Sequence, residues 1–326
     1  MKRYFILAIA CALAMTLIPC AMTDMPKSPD ETNENLLEQN GDGTPKGDET
    51  ITVFMADDEK TVELSMREYV IRAVAAEMPA VYEEEALKAQ ALASATLARY
   101  MALHNKNNKE LKGAVISTDS KKYQAYMDES IMKERWGENF EVYYKKLCDA
   151  VDETLSYTIT YGGEPITAVF HAVSTGLTET AENVWGKAVP YLVSVESEGD
   201  SLSPGYRSTL TVSPEEFKSA LGLSPGNDDH EGWLGETQYS EAGTLQNAVI
   251  CEKSFTGAFI RETFDLRSAA IKISFDGENF VFDVTGYGHG VGMSQYGADY
   301  YARQGLTWRE IIEHYYPGTE ISEIKS

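Results

Sequence analysis

Between Gly286 and Gly292 four glycines alternate with Tyr287, His289 and Val291, and Met293, Ser294 and Gln295 follow at once. Glycine accepts left-handed backbone and close approach that a side chain forbids. This run therefore predicts a shaped loop that holds His289, Ser294, Gln295 and main-chain N–H groups, including those of Gly290 and Gly292, for a ligand. Its spacing is not the dinucleotide fingerprint, it lacks the Gly-Lys-Ser/Thr of a phosphate loop, and Gly292-Met-Ser-Gln does not match a nucleophile elbow. A different chemistry is suggested by Glu77. Tyr69, Val70, Ala73, Val74 and Ala76 are spaced for a buried helical stripe opened by Ser65 and Glu68. Pro79 restricts Met78 and ends that helix. Glu77 then falls in the last turn, where the helix dipole and the flanking Ala76 and Met78 both disfavour charge. A carboxyl held neutral in this way suits a general acid.

The elements that must position these groups are readable in outline. Ser274 to Val284 predicts two strands around an Asp276-Gly277 turn, so the glycine loop leaves the end of a hairpin. Gln295 to Gln304 predicts a helix stopped by Gly305. Upstream, Ile51 to Leu64 alternates as a strand or hairpin, and Glu83, Glu84 and Glu85 suit the first turn of an alanine-rich helix towards Leu103. Gln90 is polar where that helix is apolar, so it is either a satisfied core glutamine or a contact to ligand or Glu77. Ser130 to Thr154 is amphipathic. Tyr157 to Tyr161 and Pro165 to His171 predict a hairpin whose second strand delivers His171 to a Ser174-Thr175-Gly176 turn. Ser213 and Pro214 cap a further helix, Ser224 to Gly243 predicts a polar surface excursion with His230 in solvent, and Ala248 to Phe282 a strand-rich meander. Thr307 and Glu310 open the last helix, with His314 as a packed or surface residue.

Composition removes several function classes. The 326 residues, 43% hydrophobic, are enough for a large core. With 28 basic against 51 acidic residues and a formal net charge of -23, no basic cluster for phosphates exists, and nucleic acid is not an expected partner. Ser130-Ile-Met-Lys133 has the Ser-x-x-Lys spacing of penicillin-recognising enzymes, but their Ser-Asp-Asn and Lys-Thr-Gly partners are missing from the chain. Residues 1–22 carry Lys2 and Arg3 before an uncharged run, read as an uncleaved membrane anchor in preference to a cleaved signal peptide, with the folded part extracytoplasmic. Residues 23–50 predict a disordered acidic linker and 51–326 the folded domain. Cys148 and Cys251 are free to pair or to stay as separate buried thiols.

Three blocks stand in order along the chain: Ala75-Ala-Glu-Met-Pro79 followed by Ala86-Leu-Lys-Ala-Gln-Ala-Leu92, Val169-Phe-His-Ala-Val-Ser-Thr-Gly176 with Glu182-Asn-Val-Trp185, and Gly286 to Ala298 with Glu313-His-Tyr-Tyr-Pro-Gly-Thr319. Together they resemble the stage II sporulation protein D family, peptidoglycan lytic transglycosylases with amidase-enhancer relatives. The resemblance implies an α+β fold, helices packed on antiparallel strands in a single large catalytic domain, with Glu77 as sole acid/base. It raises His171, with Ser174, Thr175 and Gly176, as groups beside the substrate, while His289 is a candidate for binding sugar hydroxyls or the N-acetyl group. Gln90, Ser294, Gln295 and the glycine N–H groups become candidates for sugar hydroxyls or the N-acetyl group, and Tyr287 and Trp185 for stacking on sugar faces. The family includes members with a metal near the second block; Ala172 to Asn183 offers no Cys or His, so no zinc is expected, and no cofactor. The implied partners are peptidoglycan glycan strands, a cell-wall amidase or endopeptidase and other engulfment proteins. Two other readings stay open: a non-catalytic amidase enhancer, and a hydrolase using Glu77 with a second carboxylate such as Asp283.

Overall fold

The computed structural model describes residues 49–106, 108–227 and 229–324. Strands β1 (Thr50–Met55) and β2 (Lys60–Ser65) form the expected hairpin, Met55 opposite Lys60. Helix α1 (Met66–Glu77) begins where Ser65 Oγ accepts the Glu68 N–H at 3.1 Å. The Glu68 carboxylate turns to Arg72, 2.5 Å away, instead of completing a capping box. Helix α2 (Glu84–His104) buries nearly every residue from Ala86 to Met101 and packs against α1 and α4 (Phe140–Thr154). Alanine makes that close approach possible, since it fills little space and loses no side-chain entropy. The two-residue β3 (Ile116–Ser117) runs parallel to β1. The amphipathic stretch expected as one segment is two helices, α3 (Glu129–Trp136) and α4, because Gly137 takes φ 52 and ψ -124 between them. β4 (Tyr157–Tyr161) and β5 (Glu164–Pro165) turn on Gly162 and Gly163, both at positive φ.

The expected second strand of that hairpin stops early. His171 lies on β6 (Phe170–His171), which pairs in parallel with β13 (Met293–Ser294). Between these come α5 (Ala181–Trp185), β7 (Arg207–Val212), and α6 (Pro214–Ala220), whose Ser213 and Glu216 make a full capping box. The polar stretch from Ser224 to Gly243 is more ordered than its composition suggested: it contains β8 (Leu234–Tyr239), paired with β9 (Leu245–Ile250). His230 packs against Trp233, ring centroids 4.7 Å apart, so it is half-buried on an aromatic cluster and not free in solvent. The meander holds β9, β10 (Lys253–Thr256), β11 (Ile271–Phe275) and β12 (Phe280–Thr285), interrupted by α7 (Gly257–Thr263), which Thr256 caps. After β13 follow α8 (Gln295–Arg303), stopped by Gly305 at φ 93, then α9 (Trp308–Tyr315), opened by Thr307 and Glu310, and β14 (Glu320–Glu323).

The class is α+β, with mostly antiparallel sheets. Contacts divide the chain into two compact units. The first takes the described part of Met1–Val169 with Tyr301–Glu313 and Gly318–Ser326, and the second Phe170–Tyr300 with His314–Pro317. In the first, α1, α2 and α4 bury Tyr69, Leu87, Leu92, Met101 and Leu147. In the second, β12 lies between β11 and β7, and its Phe280, Phe282 and Val284 enter a core with Phe217, Trp233 and Ile260. Phe217 stacks on Phe280 at 3.9 Å. The anchor at 1–22 and all of the linker 23–50 except Glu49 and Thr50 lie outside the described residues. Glu49 accepts from Arg99 at 2.7 Å and Thr50 opens β1. Among the described residues no helix is long and apolar enough to cross a membrane.

Candidate active site

In the first unit Glu77 is the last residue of α1. Pro79 keeps Met78 out of helical conformation, at φ -124 and ψ 136, so the helix ends and the Glu77 side chain emerges half-buried. The Ala125 N–H donates to Glu77 Oε1 at 2.6 Å. That donor stabilises the charged carboxylate and so opposes the apolar neighbours and the helix dipole, which stabilise the neutral acid. Tyr69, about two turns earlier on the same helix, has its phenol pushed far up, first by burial and then by the negative charge of Glu77, so it stays a neutral hydroxyl. Gln90 is fully buried and donates to Ser94 Oγ at 3.1 Å, a place in the core of α2.

In the second unit the structure gathers Phe170 to Gly176, Glu182 to Trp185 and Gly286 to Ala298 of the other two blocks. His171, fully buried on β6, donates from Nδ1 to the Val291 carbonyl at 3.1 Å. The Val291 N–H in turn donates to His289 Nδ1 at 3.0 Å, so the other nitrogen of His289 carries its proton and donates to the Phe170 carbonyl. One peptide segment is thereby clamped between two imidazoles whose ring centroids lie 5.8 Å apart. Burial lowers the pKa of both rings; for His289 the neighbouring His171 and Arg261 lower it further. Burial also holds the Arg261 guanidinium down at about 10. Trp185 closes α5 beside this pair, its ring 5.2 Å from that of His289.

The glycine run is as tightly placed as its spacing implied. Gly286, Gly288, Gly290 and Gly292 all have positive φ. At Gly288 a Cβ would stand 2.8 Å from His171 Cβ, and at Gly286 2.7 Å from the Val173 carbonyl oxygen, so close packing requires glycine there as well as backbone sign. Tyr287 pairs its backbone with Val173 and lies under the Arg267 guanidinium, 5.5 Å from the ring centre. Ser294 and Gln295 are buried, as is Ser174, whereas Thr175, Gly176, Trp185, Tyr287 and His289 keep partial exposure.

Two acidic residues with no local signal in the sequence organise this region. Asp200, fully buried, accepts from the Ser174 N–H and from Ser294 Oγ, both at 2.7 Å. Glu179 accepts from the Thr180 N–H and Asn183 Nδ2, both at 2.8 Å, and from Ser240 Oγ at 2.5 Å. A cavity of about 20 Å³ ends against Glu179, His289 and Gly290, and it shares Thr175, Leu177 and Ala242 with a wider cleft of about 330 Å³. Asp283 faces outward on β12, accepting from Thr209 at 3.1 Å. Among the described residues no three His, Cys, Asp or Glu side chains are grouped to hold a metal, and Cys148 and Cys251 are free thiols.

Comparison with known proteins adds the lineage. Residues 57–161 match the family model described as stage II sporulation protein. Over 275 residues the chain is 39% identical to stage II sporulation protein D of Bacillus subtilis, covering 84% of this chain and 79% of that protein. The chain belongs to the stage II sporulation protein D family. It is likewise 39% identical to the protein of that name from Bacillus amyloliquefaciens, over 85% of this chain and 80% of the relative. A more distant relative, the amidase enhancer of Bacillus subtilis, is 26% identical over 76% of this chain but only 39% of its own length. The matched segment of the family model contains Glu77 and the Ala125 amide that holds it.

Proposed function

We propose that this member of the stage II sporulation protein D family is a peptidoglycan lytic transglycosylase that cleaves the bond from N-acetylmuramic acid to N-acetylglucosamine, with Glu77 as its single acid/base. As an acid, Glu77 protonates the glycosidic oxygen and the C1–O bond breaks. As a carboxylate it then takes the proton of the muramyl C6 hydroxyl while that oxygen bonds to C1. The ring closes as a 1,6-anhydro end, water is not consumed and no second carboxylate is needed, in contrast to hydrolytic glycosidases. The observation that carries the reading is the half-buried Glu77 carboxylate at the end of α1, held at 2.6 Å by one backbone N–H. Trp185 and Tyr287 would stack on sugar faces, and Thr175, Gly176, Gly290 and Gly292 would offer polar or main-chain contacts. His171, Ser174 and Ser294 act from buried positions by holding the backbone that carries these groups, Gln295 and His289 belong to the same frame, and Gln90 keeps its place inside α2.

The names of the relatives support a role in sporulation; the proposal adds to it septal wall remodelling outside the cytoplasmic membrane, a tether in residues 1–22, and a cell-wall amidase or endopeptidase and other engulfment proteins as partners. A second reading, a non-catalytic enhancer of an amidase, is favoured by the relative of that name. Mass spectrometry of glycan strands incubated with the purified chain separates the alternatives. Anhydro-muramyl ends that vanish with Glu77→Ala support the transglycosylase, new reducing ends support a hydrolase, and intact strands support the enhancer.

A further inference from the structure

Residues 119–128 contain no helix or strand between β3 and α3 apart from turns, yet this strap is fastened at three points. Gln124, 4% exposed, donates from Nε2 to the Ser94 carbonyl on α2 at 3.2 Å and to the Tyr69 hydroxyl on α1 at 3.4 Å. A carbonyl only accepts, so the amide nitrogen must face Ser94, and the orientation of the side chain is fixed by chemistry. The next N–H, that of Ala125, holds Glu77. Met127 closes the strap by donating to the Arg72 carbonyl at 3.2 Å. Gln124 Oε1 has no partner among the described residues, although it is buried. An amide that leaves half its polarity unmatched is a poor choice for packing, where methionine would fill the same length.

The peptide unit joining Gln124 to Ala125 is planar and rigid. With Met127 fastened to Arg72 on the far side, anchoring the Gln124 side chain restrains the rotation of that unit, and so the direction of the Ala125 N–H and the seat of the Glu77 carboxylate. We infer that Gln124 is a positioning residue: through the Ala125 amide it holds the Glu77 carboxylate in the geometry that the proton transfers require. This rests on the proposed role of Glu77 and adds to it a device that the chemistry does not touch directly. The effect belongs in kcat, because a misplaced acid/base weakens the transition state and leaves binding of the strand unchanged.

The test uses the full chain with Gln124→Met, glycan oligomers as substrate, and the Ala125 amide resonance after alanine-specific 15N labelling. The expected result is a folded variant with kcat reduced about a hundred-fold, KM unchanged, and the Ala125 resonance moved towards that of Glu77→Ala while distant alanines stay in place. Wild-type kcat with an unmoved Ala125 resonance overturns the inference. Should Gln124→Met fail to fold, Gln124→Asn decides, since its shorter side chain keeps the amide but cannot span to the Ser94 carbonyl: full kcat with an unmoved Ala125 resonance overturns the inference, and a roughly hundred-fold loss with a moved resonance supports it. Full activity of Glu77→Ala would instead overturn the reaction centre itself, a separate outcome, with the resonance still reporting whether Gln124 aims the amide.

Discussion

The Val291 N–H donates to His289 Nδ1 at 3.0 Å, and the same residue's carbonyl accepts from His171. Protonating His289 at Nδ1 would remove that acceptor and set two N–H groups against each other. Because burial lowers the pKa of both imidazoles, the folded state binds fewer protons than the unfolded chain below the ordinary histidine value near 6.5. Stability is then complete above about pH 6.5 and falls as the pH drops below it, by at most about 1.4 kcal/mol per pH unit for each ring. Thermal unfolding between pH 7.5 and 5 should show this slope, and His289→Gln should remove one of the two contributions. A melting temperature flat across that range, at constant ionic strength, would refute it.

Substitution of glycine separates backbone strain from crowding. Gly288→Ala meets His171 Cβ at 2.8 Å and forces an L residue to φ 105, so a loss of roughly 3 kcal/mol or more is expected. Gly277→Ala, at φ 99 in an open turn with nothing within 4 Å, should lose only roughly 1–2 kcal/mol. Denaturant unfolding of the two variants checks the difference.

Asp200→Ala leaves the Ser174 N–H and the Ser294 hydroxyl buried without their acceptor. A cost of about 3 kcal/mol or more follows, read as early loss of hydrogen-exchange protection in residues 170–176 and 291–297. Asp200→Asn, which retains one acceptor oxygen, should lose less.

Glu77 lies at a helix terminus and not in a core, so Glu77→Ala and Glu77→Gln should keep the melting temperature within a few degrees of the parent chain. Glycan cleavage should fall by about a hundred- to ten-thousand-fold in each, the usual range for one acid/base group. Release of anhydro-muramyl products, counted by mass spectrometry, provides the measure.

Local chemistry was legible wherever one residue and its near neighbours decide conformation. Pro79 ends α1, Ser213 with Pro214 opens α6, and four spaced glycines make a left-handed loop. Each effect is steric or a hydrogen bond within a few residues, so it is written in the order of the chain. Pairing over distance was not legible. A two-residue strand such as β6 has no period of its own and exists because β13, more than a hundred residues later, lies beside it. The polar β8 was concealed by composition, since five of its six residues face outward and nothing marks them as paired with β9.

The same division runs through the candidate site. The sequence by itself determined that Glu77 closes a helix among apolar neighbours, that the glycine loop turns left-handed, and that His171 and His289 sit in short polar motifs. Only the tertiary structure decided what holds them: the Ala125 amide on Glu77, Gln124 behind that amide, Asp200 between Ser174 and Ser294, and Val291 between two histidines. A hydrogen bond depends on donor and acceptor meeting within about 3 Å, and residues separated by 48 or 120 positions meet there only after the chain has folded.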